Sequence, residues 1–279
     1  MMRLTERSVT LGLVGAGLLC AALLSLPGTA RAADGGKPDY ELGLYLWGAS
    51  VASQVDTPEG DASAHISFSD LLSNLNVAAM ARARANFDKL SIVFDGEYLD
   101  LETDTEQRTV RLGPQGNVPV SVSAKVELVQ YILELNTGYE IFNVSGPFSA
   151  GPNDNRGTRG ELYVGARYIS AKPEIKVQVG PLSTDIGEWN SWVDGLVGAR
   201  LFVDLSKTVV LGIQGDVGGF NIGQSDNLAW SQITSLSWAF SDSMALSLGY
   251  KFLDLRRESG DETIEMQLRG PFIATFVRF

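Results

Sequence analysis

The strongest constraint on this chain is an alternation of apolar and other residues with period two, which recurs from Tyr40 to the last residue. Successive side chains of a strand point to opposite faces, whereas a helix repeats about every 3.6 residues. The pattern is clear in the last segment, Arg269–Phe279, where alternate residues share one face: Ile273, Thr275, Val277 and Phe279. Almost no helical period occurs, so the chain is predicted to be all-β.

Clusters of turn residues divide the alternating pattern into about ten strands, with eight or twelve as alternatives. The predicted strands cover residues 40–51, 76–87, 90–101, 123–142, 160–170, 191–203, 208–218, 228–240, 244–255 and the segment that ends at residue 279. Loops are predicted at 52–74, 102–119, 143–157, 171–189, 219–227 and 256–262. The first loop contains Phe68, Leu71, Leu72 and Leu75 at helical spacing, which predicts one or two helical turns.

The first 32 residues are predicted to be a secretory signal peptide. Arg3 and Arg7 precede an apolar run over residues 9–26, and Ala30-Arg31-Ala32 has the pattern of a cleavage site. We expect cleavage after Ala32, which leaves residues 33–279 as one domain. Cys20, the chain's single cysteine, lies in the signal behind Leu19, where lipid attachment would require a small residue. The mature chain therefore lacks disulfides and thiolate metal sites.

Alternation alone does not distinguish a barrel in lipid from a soluble barrel with an apolar interior. Short connections at 88–89, 204–207 and 241–243 alternate with long ones, and only the connection at 143–157 departs from this rule. Aromatic residues lie toward the strand ends on the apolar faces: Tyr98, Tyr131, Tyr139, Tyr168, Trp238 and Tyr250. Past the signal there is no apolar run of about eighteen residues, so helical spans are not expected. The sequence predicts a closed, antiparallel, up-and-down transmembrane β-barrel.

A final strand that stops on phenylalanine resembles the closing strand of small outer-membrane β-barrel proteins of Gram-negative bacteria. The likeness extends over the whole mature chain, although its motifs are generic: a signal peptide, amphipathic strands and a terminal aromatic. It implies location in the bacterial outer membrane and contact with lipid and lipopolysaccharide. It also implies that the barrel-assembly machinery recognises an assembly signal at Phe279, Val277 and Thr275. We expect a monomer.

The chain is acidic, with 22 Lys+Arg against 33 Asp+Glu. Without Arg3, Arg7, Arg31 and Glu6 of the predicted signal, 19 basic and 32 acidic residues remain, a formal charge of −13. Such a surface repels nucleic acid, so no nucleic-acid partner is expected. We attribute the acidity to solvated loops. The alternative is divalent-cation binding at a lipopolysaccharide surface. No specific metal site or cofactor is predicted.

The faces opposite the apolar ones carry charges of both signs, which predicts a charge network in the lumen. Its members are Arg82, Arg84, Asp95, Glu97, Glu134, Arg167, Asp194, Arg200, Asp216 and Lys251. The Asp88-Lys89 turn fixes the register that places Arg82 opposite Asp95. Pairing through 241–243 gives the inner face a wall of small residues, which leaves room for long arginines or for water: Ser235, Ser237, Ala239, Ala245, Ser247 and Gly249.

Several functions remain open at this point. About ten strands enclose a lumen that side chains largely fill, so a structural role and a narrow pore for ions or small solutes are both considered. The segment 68–75 could cover the mouth of the barrel or pack at its rim. The alternative is an adhesin or binding protein that acts through its long loops. Trp189 and Trp192 could serve such contacts, but anchoring at the membrane interface is the favoured interpretation.

An omptin-like hydrolase is the third possibility, because omptin proteases are ten-stranded barrels with acidic residues and a histidine at their outer rim. The one histidine of this chain, His65, lies in the first long loop near Asp61 and Asp70. A lone loop histidine is more often solvated than catalytic. No Gly-x-Ser-x-Gly nucleophile motif and no His-x-x-x-His pair occur. We therefore predict that the protein is not an enzyme and has no catalytic or cofactor-binding residues.

Overall fold

The structure is a computed structural model that describes residues 38–57, 60–73, 75–104, 108–112, 118–148, 157–179, 182–187, 190–220, 226–259 and 262–279. The predicted signal peptide and its cleavage site lie outside these residues. Within the described ranges, no helix has both the length and the apolar character that a membrane crossing requires.

Strands account for most of the described chain. In chain order they are β1 (Asp39–Trp47), β2 (Ser50–Thr57), β3 (Gly60–Ile66), β4 (Leu75–Phe87), β5 (Leu90–Asp104), β6 (Arg108–Leu112), β7 (Val118–Ser145), β8 (Gly157–Val179), β9 (Leu182–Gly187), β10 (Asn190–Asp204), β11 (Val209–Gly219), β12 (Asp226–Ala239), β13 (Met244–Ser259) and β14 (Glu262–Arg278). One short helix, α1 (Phe68–Ser73), lies between β3 and β4.

Ten of the strands form a closed antiparallel ring in the order β1-β4-β5-β7-β8-β10-β11-β12-β13-β14, and β14 pairs back with β1. The predicted barrel of about ten strands is confirmed. The ring closes along the β1–β14 ladder, from Glu41↔Arg278 to Trp47↔Phe272. Two further backbone hydrogen bonds of 3.0 Å extend this seam, from Tyr40 N to Phe279 O and from Phe279 N to Tyr40 O. We call the end that carries Tyr40, Phe279 and the tight 88–89 turn the proximal end, and the opposite end the distal end.

The first predicted strand, 40–51, is interrupted in the structure at Gly48–Ala49. The register against β14 nevertheless continues across the break, from Trp47↔Phe272 to Ser50↔Arg269. The interruption lies opposite Pro271, which has no N–H to donate to the ladder. Gly48 N bonds to Pro271 O at 2.8 Å. A single bent strand therefore passes from β1 into β2 and lengthens the distal wall of the barrel.

Four of the predicted loops are wrong, because they contain strand. The first loop contains the β2–β3 hairpin, and the second contains the end of β5, all of β6 and the start of β7. Likewise, 171–189 contains the end of β8 and β9, and β13 and β14 extend through most of 256–262. β6 pairs with β7 and β9 pairs with β8, so a four-stranded sheet projects from the distal end.

The predicted helical turn is confirmed as α1, and a side-chain cap holds its first turn. Ser67 Oγ donates to Asp70 Oδ2 at 2.6 Å, and Asp70 N donates back to Ser67 Oγ at 3.3 Å. The Phe68 ring lies beside Gly48, where an added Cβ would be 3.2 Å from it. The segment therefore packs against the rim of the barrel at the β1–β2 break.

The outer surface of the ring is apolar, as the alternation predicts. Large aliphatic side chains are exposed on every part of it, among them Leu44, Leu46, Leu135, Val144, Leu162, Val164, Val193, Leu236, Leu248 and Ile273. Two strands carry aromatic residues eight positions apart: Tyr131 and Tyr139 on β7, and Trp230 and Trp238 on β12. Eight residues extend about 26 Å along a strand. With the usual tilt of about 40°, this corresponds to an apolar band about 20 Å high.

Candidate functional site: the barrel interior

The ten residues of the predicted charge network all lie on the inner side of the ring. Arg167, Asp194 and Arg200 are the most buried, with at most 2% of each residue exposed. Nine of the ten side chains form a belt of ion pairs and hydrogen bonds across the middle of the barrel. Asp194, the tenth, lies opposite Arg167 on the neighbouring strand and accepts a hydrogen bond from Trp192 Nε1 at 3.2 Å.

The belt spans the full width of the lumen. Arg82 on β4 pairs with Asp95 on the neighbouring β5, with 3.3 Å between Nη1 and Oδ2. Its Nη2 donates to Gln214 Oε1 at 2.9 Å. β4 and β11 are five positions apart in the ten-stranded ring, so this hydrogen bond joins opposite walls. A side chain that crosses the centre in this way occludes the lumen at its level.

Arg167 is the centre of one half of the belt. Its guanidinium pairs with Glu134 at 3.0 Å and with Asp216 at 2.7 Å, although Arg167 is on β8 and Asp216 on β11. Tyr163 and Ser231 also donate to Asp216, at 3.0 and 2.5 Å. One buried cation thus holds two buried carboxylates, and surrounding hydroxyls complete the hydrogen bonding.

A second group joins Lys251 on β13 to β5. Lys251 Nζ forms an ion pair with Glu97 and lies 3.9 Å from Asp95. The Tyr45 hydroxyl lies 2.6 Å from Asp95 Oδ1 and 2.7 Å from Glu97 Oε1. A phenol has one proton, so it can donate to only one of these carboxylates at a time. Lys251 supplies the compensating charge.

The third group contains more cations than carboxylates. Arg84 pairs with Glu161, and Arg200 Nη1 lies 3.6 Å from the same carboxylate. Arg200 also donates to two neutral amides, Asn136 and Gln214.

Several of these partners were not among the predicted members of the network: Tyr45, Asn136, Glu161, Tyr163, Gln214 and Ser231. Period two could have found Asn136, Glu161, Tyr163 and Gln214, since each shares its strand's inner face with a predicted member. Tyr45 and Ser231 lie on β1 and β12, which contributed no predicted member.

An apolar cluster fills the barrel distal to the belt. Its buried members come from opposite sides of the ring, among them Trp47, Met80, Leu101, Ile132, Ile169, Ala229, Leu253, Leu255 and Leu268. Ile169 and Leu253 are 0% and 1% exposed. Trp192 packs against this cluster, so its interpretation as an interface anchor is wrong. Trp189 lies outside the described residues. The interior at this level is a packed core.

The proximal half of the lumen contains a cavity of about 470 Å³. It extends from the belt, at Asp95 and Lys251, to the exposed turn Ser241–Ser243. The predicted wall of small residues forms one side: Ser235, Ser237, Ala239, Ala245 and Ser247 all line the cavity. Between the belt and the apolar cluster, a small cavity of about 10 Å³ lies beside Arg167 and Leu253. Such a volume is at the lower limit for one water molecule.

The predicted assembly signal lies on the outer face. Val277 and Phe279 are 40% and 60% exposed, and Thr275, two residues before Val277, is exposed on the same face. The Phe279 ring stacks on Tyr40 with 6.0 Å between centroids, beside the seam where β14 meets β1. The assembly machinery's recognition of these residues remains a prediction.

A closed barrel satisfies its backbone hydrogen bonds without a free edge, as a membrane requires. Its apolar outer band, with aromatic residues at the margins and a polar belt inside, is the arrangement that lipid favours. The chain is a bacterial outer-membrane β-barrel. Proteins of this class have both termini and the short turns in the periplasm. The proximal end is therefore periplasmic and the distal end extracellular.

Solved structures of other outer-membrane barrels are similar to this chain at low identity. The outer membrane protease OmpT from Escherichia coli is 11% identical with a TM-score of 0.44, over 87% of this chain and 96% of that one. The translocator domain of the autotransporter NalP from Neisseria meningitidis is 11% identical with a TM-score of 0.38, over 96% and 97%. Ail of Yersinia pestis is 8% identical with a TM-score of 0.33, over 88% and 100%. No protein-family model and no curated protein sequence matches the chain.

Proposed function

We propose that this barrel is a non-conducting scaffold of the outer membrane, whose interior stabilises it and whose extracellular strands face the surroundings. The observation that carries the proposal is the apolar cluster on the extracellular side of the charge belt. A solute that entered from the periplasm would reach the cavity, and then the Arg82–Gln214 crossing. On the extracellular side of this crossing, Ile132, Leu253 and their packed neighbours fill the lumen.

Opening a pore would require several buried interactions to be lost together. Removing one partner of a buried ion pair costs about 3–5 kcal/mol, because the remaining charge stays buried. Displacing a packed aliphatic side chain costs about 2–5 kcal/mol. The two layers are stacked along the same path, and both must open for passage. These costs favour the structural hypothesis over the narrow pore.

Solute uptake by proteoliposomes tests the proposal. Purified, folded protein is reconstituted into vesicles, and swelling is measured in isotonic arabinose, with empty vesicles and a general porin as controls. We expect the vesicles that contain the protein to swell no faster than the empty vesicles. Uptake that rises with the amount of folded protein would favour the pore hypothesis.

A surface-binding role is the second candidate, and the extracellular sheet favours it. Tyr131 marks the extracellular margin of the apolar band. β7 begins thirteen residues before it, about 43 Å along the strand. β8 runs beside it to Val179, with Val122 opposite that residue. Because β6 and β9 extend the same sheet, the barrel presents ordered backbone well outside the membrane. A rigid platform of this kind suits contact with another surface.

Replacing residues 106–121 by a short turn tests this second role. Cells that express the wild-type protein are expected to adhere to host cells or matrix more than cells with the shortened form. Shortening the periplasmic connection at 149–154 serves as the matched control. Equal adhesion by all three strains would exclude a role for the sheet.

Catalysis is not part of the proposal. The side chain of His65 is not among those that the structure describes, so the expectation that it is solvated stays a prediction. Unchanged behaviour of a His65→Ala protein in peptide and phospholipid hydrolysis assays is the expected outcome. A hydrolytic activity that is lost in this variant would establish the omptin-like alternative.

A further inference from the structure

The periplasmic cavity has an uneven distribution of charge along its inner end. Arg84, Arg159 and Arg200 line it together. All three lie within electrostatic range of one carboxylate, Glu161. Glu161 alone therefore does not balance the three guanidinium groups.

The hydrogen bonds of this cluster do not neutralise the excess charge. Arg200 is 2% exposed, and it donates to the neutral amides of Asn136 and Gln214. Its Nη1 is buried without a hydrogen-bond partner in the described part of the chain. The same Nη1 lies 3.6 Å from Glu161 Oε2, but one carboxylate does not balance three guanidinium groups. Uncompensated buried charge is costly, so this end of the cavity attracts an anion.

Arg159 is the least compensated of the three. Its Cζ lies 4.4 Å from the centroid of the Phe202 ring, and Arg84 Cζ lies 5.3 Å from the same centroid. Its buried Nε also has no hydrogen-bond partner among the described residues. The nearby Asp204 is engaged by the backbone N–H of Gly157, with 2.5 Å between N and Oδ2.

Charges of both signs line the rest of the cavity, with Asp204, Lys207 and Asp242 toward its mouth. Arg82 pairs with Asp95, and Lys251 pairs with Glu97. At the mouth, Arg278 lies 3.2 Å from Glu41. The carboxylate-rich group, with Glu134 and Asp216 around Arg167, does not line the cavity. Guanidinium groups thus outnumber carboxylates locally, around Glu161 at the inner end of the cavity.

We propose that the cavity binds a small oxyanion, such as phosphate or sulfate, from the periplasm at Arg84, Arg159 and Arg200. Guanidinium groups bind such oxyanions through paired, charge-assisted hydrogen bonds. The wall of small residues on another side of the same cavity leaves room for the anion's water shell. A volume of about 470 Å³ accommodates the anion with its water, or an anion that carries a small polar substituent. The site does not depend on whether the barrel conducts.

Titration calorimetry of the folded full chain in detergent with inorganic phosphate tests the site, at constant ionic strength maintained with chloride. We expect saturable binding by the wild-type protein, and affinity about tenfold weaker in Arg159→Gln. Arg278→Gln is the matched control, because Arg278 lines the same cavity but is paired and exposed at its mouth. Heat-modifiable mobility verifies that each variant is folded.

The proposal is overturned if wild-type protein shows no saturable heat beyond that of chloride at equal ionic strength. It is also overturned if the two glutamine variants weaken binding equally, since that result would indicate general attraction to a basic mouth. If Arg159→Gln does not fold, Arg159→Lys takes its place. That variant keeps the charge but loses the forked geometry, and binding as tight as wild type would contradict a guanidinium site.

Discussion

Replacing Arg167 by methionine should destabilise the barrel strongly, because one buried cation holds two buried carboxylates. The side chain of Arg167 is 2% exposed, and those of Glu134 and Asp216 are 13% and 0% exposed. Methionine fills similar volume, so the change removes the charge with little loss of packing. The two carboxylates would then lie in the barrel without a cation.

The expected loss in the free energy of unfolding is about 3–5 kcal/mol, the usual effect of breaking a buried pair. Adding Glu134→Gln and Asp216→Asn removes the uncompensated charges, and should restore more than half of the loss. Arg256→Met is the control. Arg256 pairs with Glu258 at 2.6 Å, but the two side chains are 50% and 41% exposed. Arg256→Met should lower the free energy of unfolding by less than about 1 kcal/mol.

Urea unfolding in lipid vesicles, followed by tryptophan fluorescence, measures all of these free energies. If Arg167→Met lowers the free energy of unfolding no more than Arg256→Met does, the belt does not stabilise the fold. If the triple variant is no more stable than the single one, the loss comes from packing instead of charge.

Two further predictions concern assembly and packing. Deleting Phe279 removes both backbone hydrogen bonds to Tyr40. The fraction of the protein in outer membranes that shows heat-modifiable mobility should therefore decrease, and an unchanged fraction would contradict a role of Phe279 in barrel closure. Gly270→Ala places a Cβ 2.0 Å from the carbonyl oxygen of Gly48, and should lose about 1–3 kcal/mol of unfolding free energy. Gly215→Ala, whose Cβ would be 3.6 Å from the nearest backbone oxygen, should change little in the same urea assay.

The barrel and its register were predictable in the strand segments that cross the membrane, because contact with lipid restricts which residues can occur there. Within the membrane one face must be apolar, so period two is strict, and the Asp88-Lys89 turn fixes the pairing of Arg82 with Asp95. Outside the membrane, neither face of a strand has to be apolar. β6 and the distal part of β8 were predicted as loops, because polar residues and Pro173 interrupt the alternation there. Backbone pairing with neighbouring strands sustains them instead.

The interior was only partly predictable. Alternation shows which residues point inward, but not which of them meet across the ring, because this depends on the stagger of all ten strands. Arg82 was expected to face Asp95, and it does; its contact with Gln214 on the opposite wall could not be derived from local pairing. The separation into a cavity, a belt and an apolar cluster likewise depends on the three-dimensional arrangement of inner faces.

Single-channel recording in planar bilayers tests the central claim, a lumen closed by the belt and the apolar cluster, most directly. Folded protein is inserted at low density and recorded in concentrated salt, with a general porin as the positive control in the same bilayers. We predict no discrete conductance steps from the wild-type protein across a wide voltage range. Reproducible steps of uniform size, absent from bilayers without protein, would contradict the closed interior.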